Sequence, residues 1–191
     1  MKRCDWVGIN ELYIQYHDTE WGVPVHDDRK HFEFLLLEGA QAGLSWLTVL
    51  KRRNGYRKAF ADFDPGVVAL FNEVKQLELQ YNSEIIRNKL KIKSAVENAK
   101  VFLQIQAEFG SFDTYIWSFV GNKQVISSPT NASEIPATSR ESDALSKDLK
   151  KRGMSFVGST IMYAHMQACG LVNDHKVDCF RHQEVYYKHE R

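Results

Sequence analysis

The chain has 191 residues, 43% of them apolar, enough to bury a sizeable core in a single domain of one or two lobes. Twenty-five Lys and Arg stand against 24 Asp and Glu, so the net charge is +1 and no strong overall field advertises a polyanionic partner; local basic clusters have to supply one. No apolar run is long enough to span a membrane, MKRCDWVG lacks the apolar core of a secretion signal, and an odd set of cysteines (Cys4, Cys169, Cys179) suits a reducing compartment, so the expected location is cytoplasmic.

Helical periods and caps run along the whole chain, and the expected class is all-α. Residues 29–42 and 45–60 are predicted as helices, separated by Gly43 and capped again by Ser45. Asp64-Pro65 starts a short helix over 65–71. Residues 73–80 and 83–87 are further short helices. A long one covers 88–109 and stops at Gly110, and Ser111 caps 112–120. The stretch 121–139, rich in Ser, Thr, Asn and Pro, is an irregular connection. Residues 140–152 form a helix with a basic end, and 159–169 form the last long helix before Gly170. The domain is expected to cover 1–179, with 180–191 as a flexible tail.

Three constellations carry chemistry. In FEFLLLEGAQAGLSW, residues 32–46, one carboxylate, Glu38, sits inside a helix that is apolar on two faces. Burying it is costly without a partner, so it is either paired with an internal Arg or Lys or kept for function. Trp6, Tyr13, Tyr16, Trp21 and Trp46 fill a core or wall a pocket for a flat, positively charged ligand. Cys4 and His17 near one end, with His175 and Cys179 near the other, make a donor set for one tetrahedral zinc. His175 and Cys179 are expected on one face of a helical turn. Spacing alone equally fits buried cysteines and surface histidines. Finally, KKRGMSFVGST, residues 150–160, joins two helices through a glycine turn beside lysines, a place for a phosphate or simply a solvated helix end.

Taken together, RCDW at 3–6, YHDTEWG at 16–22, LEGAQAGLSW at 37–46, IIRNKLKI at 85–92, the stretch 145–175 and the closing Cys179 resemble the type I bacterial 3-methyladenine DNA glycosylases. The resemblance covers nearly the whole chain. It implies a helix-hairpin-helix glycosylase fold and a structural zinc on Cys4, His17, His175 and Cys179. It also implies excision of 3-methyladenine from double-stranded alkylated DNA by a monomeric enzyme, with the free base as product. Glu38 is then the acid that reads the cationic base. Tyr16 and Trp46 sandwich the base, and Trp6, Tyr13 and Trp21 complete the walls. DNA contacts fall to Gln41, to Gly43 and Leu44 at the tip that fills the gap left by the flipped base, and to Lys151, Arg152, Gly158 and Ser159. Cys169 has no metal role, and neither Asp174 nor Asp178 is assigned to catalysis. A zinc-stapled DNA-binding module without catalysis is the alternative, disfavoured by the buried acid. A zinc hydrolase needs an open coordination position, which four protein ligands do not leave.

Overall fold

A computed structural model of the chain describes residues 1–187. After a 3-10 turn at Asp5–Val7 comes α1, Glu11–Thr19, whose Leu12 N–H is capped by the Asn10 side chain. This helix is absent from the sequence expectations, although Tyr13, Tyr16 and His17 carry the i, i+3, i+4 spacing of one helical face. α2, Asp28–Gln41, is capped by Asp27, whose carboxylate accepts from the Lys30 N–H at 2.7 Å. Every residue from His31 to Ala40 is buried. At roughly 1.5–3 kcal/mol for each large apolar side chain removed from water, Phe32, Phe34, Leu35, Leu36 and Leu37 make α2 the axis of the core.

The helix expected over 45–60 is two helices, α3, Trp46–Leu50, and α4, Arg53–Ala59. The break at Lys51 and Arg52 lets α4 seat Gly55 directly on the backbone of Glu84, where a Cβ would lie 2.4 Å from the Glu84 carbonyl oxygen. α5, Pro65–Val68, is shorter than expected, and α6 spans Glu73–Tyr81. Residues 83–87 are a turn rather than a helix. Two of their amides bond to side chains, Glu84 N–H to Asn82 Oδ1 and Ile86 N–H to the Tyr56 hydroxyl, and Ile85 N–H reaches only back to the Asn82 carbonyl. α7, Lys89–Phe109, is capped by Asn88, the residue expected to open the helix itself, and α8, Phe112–Ser118, starts at its expected cap, Ser111.

The connection after α8 is mostly irregular, with a two-residue strand, β1, Val125–Ile126, and a single 3-10 turn at Ala132–Glu134. α9, Arg140–Lys151, opens with a reciprocal cap between Ser139 and Ser142, and α10, Ser159–Ala168, lies against it as a hairpin. β2, Val172–Asn173, pairs in parallel with β1. The described fold is mostly helical, as expected, and this one short pair is absent from the expectation because two residues paired across a long sequence gap leave no local period to detect. The stretch expected as a tail from 180 is helical in its described part: α11, Phe180–Tyr187, buries Arg181 and Val185 and receives an Asn173 amide bond at the His182 carbonyl. The rest of that stretch lies outside the described residues. α2 packs against α3, α7, α8 and α10, so whatever it carries inward is presented to all four.

Candidate functional site

A cavity of about 350 Å³ opens where the N-terminal segment, α1, α2, α3 and α10 meet. Trp6, Tyr13, Tyr16, Trp21 and Trp46 all line it, with Glu38 and Gln41 of α2. Trp6 stands edge-on to Tyr13 at 5.5 Å and to Trp21 at 5.2 Å, so the walls brace one another. The Tyr13 hydroxyl accepts from the Leu47 N–H at 3.0 Å and so fixes the start of α3, which carries Trp46. Tyr16 and Trp46, expected to sandwich a ring, touch at 5.5 Å between centroids with planes tilted by 54°. That is too close and too tilted to admit a base, so the pair has to part for one to enter. The buried Trp46 indole N–H has no hydrogen-bond partner among the described residues.

Glu38 is 2% exposed at the inner end of this cavity. No Arg or Lys among the described residues reaches it. Its one hydrogen-bond partner among the described residues is His165 of α10, with Nδ1 2.8 Å from Glu38 Oε2. Burial pushes the Glu38 carboxyl well above the ordinary carboxylate range. Burial pushes His165 down to about 3, so its imidazole is neutral. Burial and then the nearby Glu38 carboxylate raise the Tyr16 phenol, which stays protonated. The site is thus an aromatic box with one acid that no cation among the described residues neutralises.

Cys4, His17, His175 and Cys179 converge at the junction of the two chain ends, all buried, with donor atoms within 4.8 Å of one another. Cys179 Sγ is 3.4 Å from His17 Nε2 and 3.6 Å from His175 Nδ1, and Cys4 Sγ is 3.7 Å from His175 Nδ1. Each imidazole is oriented from behind: His17 Nδ1 meets Asp18 Oδ1 at 2.7 Å, and His175 Nε2–H donates to the Trp21 carbonyl at 2.9 Å. That leaves one ring nitrogen of each facing the thiols, the arrangement a metal-binding histidine needs. Hydrogen bonding from Cys4 depresses the Cys179 thiol strongly, while the same contact raises Cys4. A dication is what allows both to ionise together. The four donors fit a metal ion. The expected helical turn at 175–179 is instead a tight turn closed by the Cys179 N–H on the Lys176 carbonyl. Gly22, at φ +79°, is needed beside it, because a Cβ there would lie 3.0 Å from His175 Nε2.

Beyond the pocket, α2 ends in a tip at residues 42–45. Gly43 takes φ +78° and Leu44 is 41% exposed. The α9–α10 turn is pinned by Asn98, which exchanges bonds with Ser155 N–H and C=O, and by Ser146 Oγ–H donating to the Val157 carbonyl. Gly158 begins α10 with no side-chain cap on its first turn, and the Ser159 hydroxyl bonds inward to Asp143 and Ser142. Lys147, Lys150 and Lys151 are exposed, whereas Arg152 is held by Asp148 and Glu108, both at 2.6 Å, and lies over the rings of Phe109 and Tyr115. Asp174 is saturated by Ser127, Tyr163 and Gln167, and Asp178 pairs with Lys2.

Residues 6–182 match the methyladenine glycosylase family. The chain belongs to that family. DNA-3-methyladenine glycosylase 1 of Escherichia coli K12 is 51% identical over 94% of this chain and 96% of that protein. A crystal structure of 3-methyladenine DNA glycosylase I superposes with a TM-score of 0.92 at 50% identity, covering 94% of this chain and 98% of the other. A further glycosylase I, solved in complex with 3-methyladenine, gives 0.91 at 34% identity over 94% and 97%. In this member of the family, several site residues escape sequence reading. Ala132 and Ile135, from the irregular connection, and Ala164 and Gln167, from α10, complete the pocket walls. Lys91 donates to the carbonyls of Ala40 at 2.8 Å and Ala42 at 2.7 Å, bracing the tip from behind. His165 had a usable signal, a polar residue among the apolar ones of α10, the same kind of signal that singled out Glu38.

Proposed function

We infer that the chain is a DNA-3-methyladenine glycosylase, a monofunctional hydrolase that flips the alkylated nucleotide from the duplex and cuts its N-glycosidic bond, leaving an abasic site. The observation that carries this reading is Glu38, a buried acid with no cationic partner among the described residues, at the end of an aromatic box. Methylation at N3 makes adenine cationic and a good leaving group, so the protein's task is to extrude, hold and discriminate rather than to force the bond. A cationic base restores the ionised form of Glu38, and neutral adenine offers no such gain. The aromatic walls supply stacking, with Tyr16 and Trp46 parting to take the ring.

Gln41, Gly43 and Leu44 are read as the part of the enzyme that enters the duplex; the exposure of Leu44 and the Lys91 brace support that role. Lys151 with the uncapped start of α10 at Gly158 and Ser159 takes backbone phosphates. Arg152, already doubly paired, contributes by holding the turn in place. The metal on Cys4, His17, His175 and Cys179 is read as one zinc, structural because four protein donors close its coordination. When bound, it joins the two chain ends. The enzyme is read as monomeric and cytoplasmic, consistent with three unpaired cysteines and with no described helix long and apolar enough to cross a membrane. Release of 3-methyladenine from methylated duplex DNA is the test. Wild type is expected to release it and Glu38→Gln to do so about ten- to a hundredfold more slowly, the worth of one hydrogen bond to a charged group. Equal rates would remove the assignment of Glu38, and no release by wild type would leave a DNA-binding module.

A further inference from the structure

Glu38 reaches across from α2 to α10, and the group it finds there is chosen with some care. His165 and Cys169 are one helical turn apart on α10 and both fully buried. Cys169 Sγ lies 3.5 Å from His165 Nε2, and His165 Nδ1 lies 2.8 Å from Glu38 Oε2. Burial, with the Glu38 carboxylate second, holds the Cys169 thiol in its protonated form. A protonated thiol can donate, and with Nε2 as its acceptor the ring proton sits on Nδ1. In that tautomer the hydrogen bonds run one way, from the Cys169 S–H into the ring and from the ring N–H into Oε2. Glu38 Oε1 makes no hydrogen bond among the described residues and is the oxygen left for a ligand.

We propose that His165 is the positioning residue for Glu38, a neutral donor that pins one carboxylate oxygen and fixes the other toward the alkylated base, with Cys169 setting its tautomer. This rests on Glu38 as the base-reading acid. The neutrality of the imidazole is the point of the arrangement. An Arg or Lys in the same place orients the carboxylate equally well but supplies its countercharge, and the preference for a cationic base is lost. An apolar residue leaves the carboxylate without orientation and Oε2 without a partner. The imidazole does the first task without the second. It is kept from becoming a cation by burial and by the surroundings of the pair: His31, its ring 6.0 Å away, already takes the nearby Asp113 carboxylate at 3.1 Å.

The test is a set of variants read on release of 3-methyladenine from methylated DNA, on binding of the free base, and on melting temperature. His165→Asn places its side-chain N–H near the position of Nδ1, whereas His165→Gln carries its amide farther out, near Nε2. His165→Phe fills the ring's volume with no donor. Phe and Gln are expected to slow release about tenfold at saturating DNA, and Asn to recover most of the rate. In a Glu38→Gln background, His165→Phe is expected to cost nothing further, because the two side chains act as one unit. Should His165→Phe fail to fold, the Asn and Gln pair still decides. Equal rates for Asn and Gln, or a Phe effect undiminished in the Glu38→Gln background, would overturn the proposal. If Glu38→Gln alone leaves release unchanged, it is the base-reading role of Glu38 that falls, and the positioning role with it.

Discussion

Two glutamates five residues apart on α2 are both buried, and the chain treats them in opposite ways. Glu33, 3% exposed, is surrounded by cations: Arg53 at 2.7 Å, Lys30 at 2.9 Å and Arg57 at 3.1 Å. Arg53 and Lys30 also share Glu20, so Glu20 and Glu33 with Lys30, Arg53 and Arg57 form one network, with Lys30 and Arg53 lying over Phe34. Burial alone raises the Glu33 carboxyl, but the Arg53 hydrogen bond and charge outweigh it and the net shift is downward. Glu38, 2% exposed, has only a neutral imidazole, and burial raises it unopposed. Equal burial therefore says little about an acid's role. On the proposed reading, the missing countercharge separates the acid that holds the fold from the acid kept for a ligand.

Breaking the paired member is expected to have the largest effect on stability. Glu33→Gln leaves Arg53 partly uncompensated in a site where its side chain is 16% exposed. Removing one partner of a buried pair costs about 3–5 kcal/mol, and the lower end applies because Glu20 remains. A fall in melting temperature of roughly 10 °C is the measurable form of that loss in a chain of this size. Binding of free 3-methyladenine by the folded fraction should be unchanged. Glu38→Gln is its mirror image: base affinity falls while the melting temperature at neutral pH holds or rises, since an acid without countercharge is removed. A clear drop in melting temperature for Glu38→Gln, with base affinity intact, would erase the contrast between the two ends of α2.

The contrast sharpens with pH. Glu33 has a folded pKa below the ordinary 4.5, so its stabilising contribution is complete above that value and is lost as pH falls through the lower folded one. Glu38 has a folded pKa above 4.5, so it weakens the fold progressively as pH rises from 4.5 through the raised value. The gap in stability between wild type and Glu33→Gln should therefore close on acidification. The stability of Glu38→Gln relative to wild type should instead increase from acid to neutral pH. Denaturant titrations of the three proteins across pH 3–8 test both signs, and parallel curves would refute the assignment.

The legible part of this molecule was local. Caps at Ser45, Asp64 and Ser111 mark helix starts because each is a short-range bond between a side chain and its own amides, and Asp27, Asn88 and Ser139 are further caps of the same kind that sequence reading passed over. Glu38 stood out because a charge in an apolar helix breaks the pattern. What was hidden was set by distant partners. The turn at 83–87 depends on Tyr56, the break in the 45–60 helix on Glu84, and the β1–β2 pair on residues almost fifty positions apart. The partner of Glu38 was hidden for the same reason: 127 positions separate it from His165. Sequence reading offered Arg or Lys as the alternative partner, and that expectation describes Glu33 instead.

The same contrast between paired and unpaired charge runs through the α9–α10 turn, at smaller amplitude. Arg152 is bound by Asp148 and Glu108 and covers Phe109 and Tyr115, so it is to that turn what Arg53 is to Glu33. Lys151, next to it, is exposed and forms no salt bridge among the described residues. Its ammonium acts on Asp148 only at a distance, so the charge can be offered to a phosphate, displacing about one counterion. Lys151→Ala is therefore expected to weaken binding uniformly across DNA sequences and to lower the slope of log affinity against log salt by about 1. Base release at saturating DNA and the melting temperature should not change, since nothing in the fold leans on its ammonium group. Arg152→Ala should do the reverse, lowering the melting temperature through lost packing and pairing, with little direct effect on the salt slope. A salt slope unchanged in Lys151→Ala would place the phosphate contacts elsewhere and leave the basic end of α9 as a solvated helix terminus.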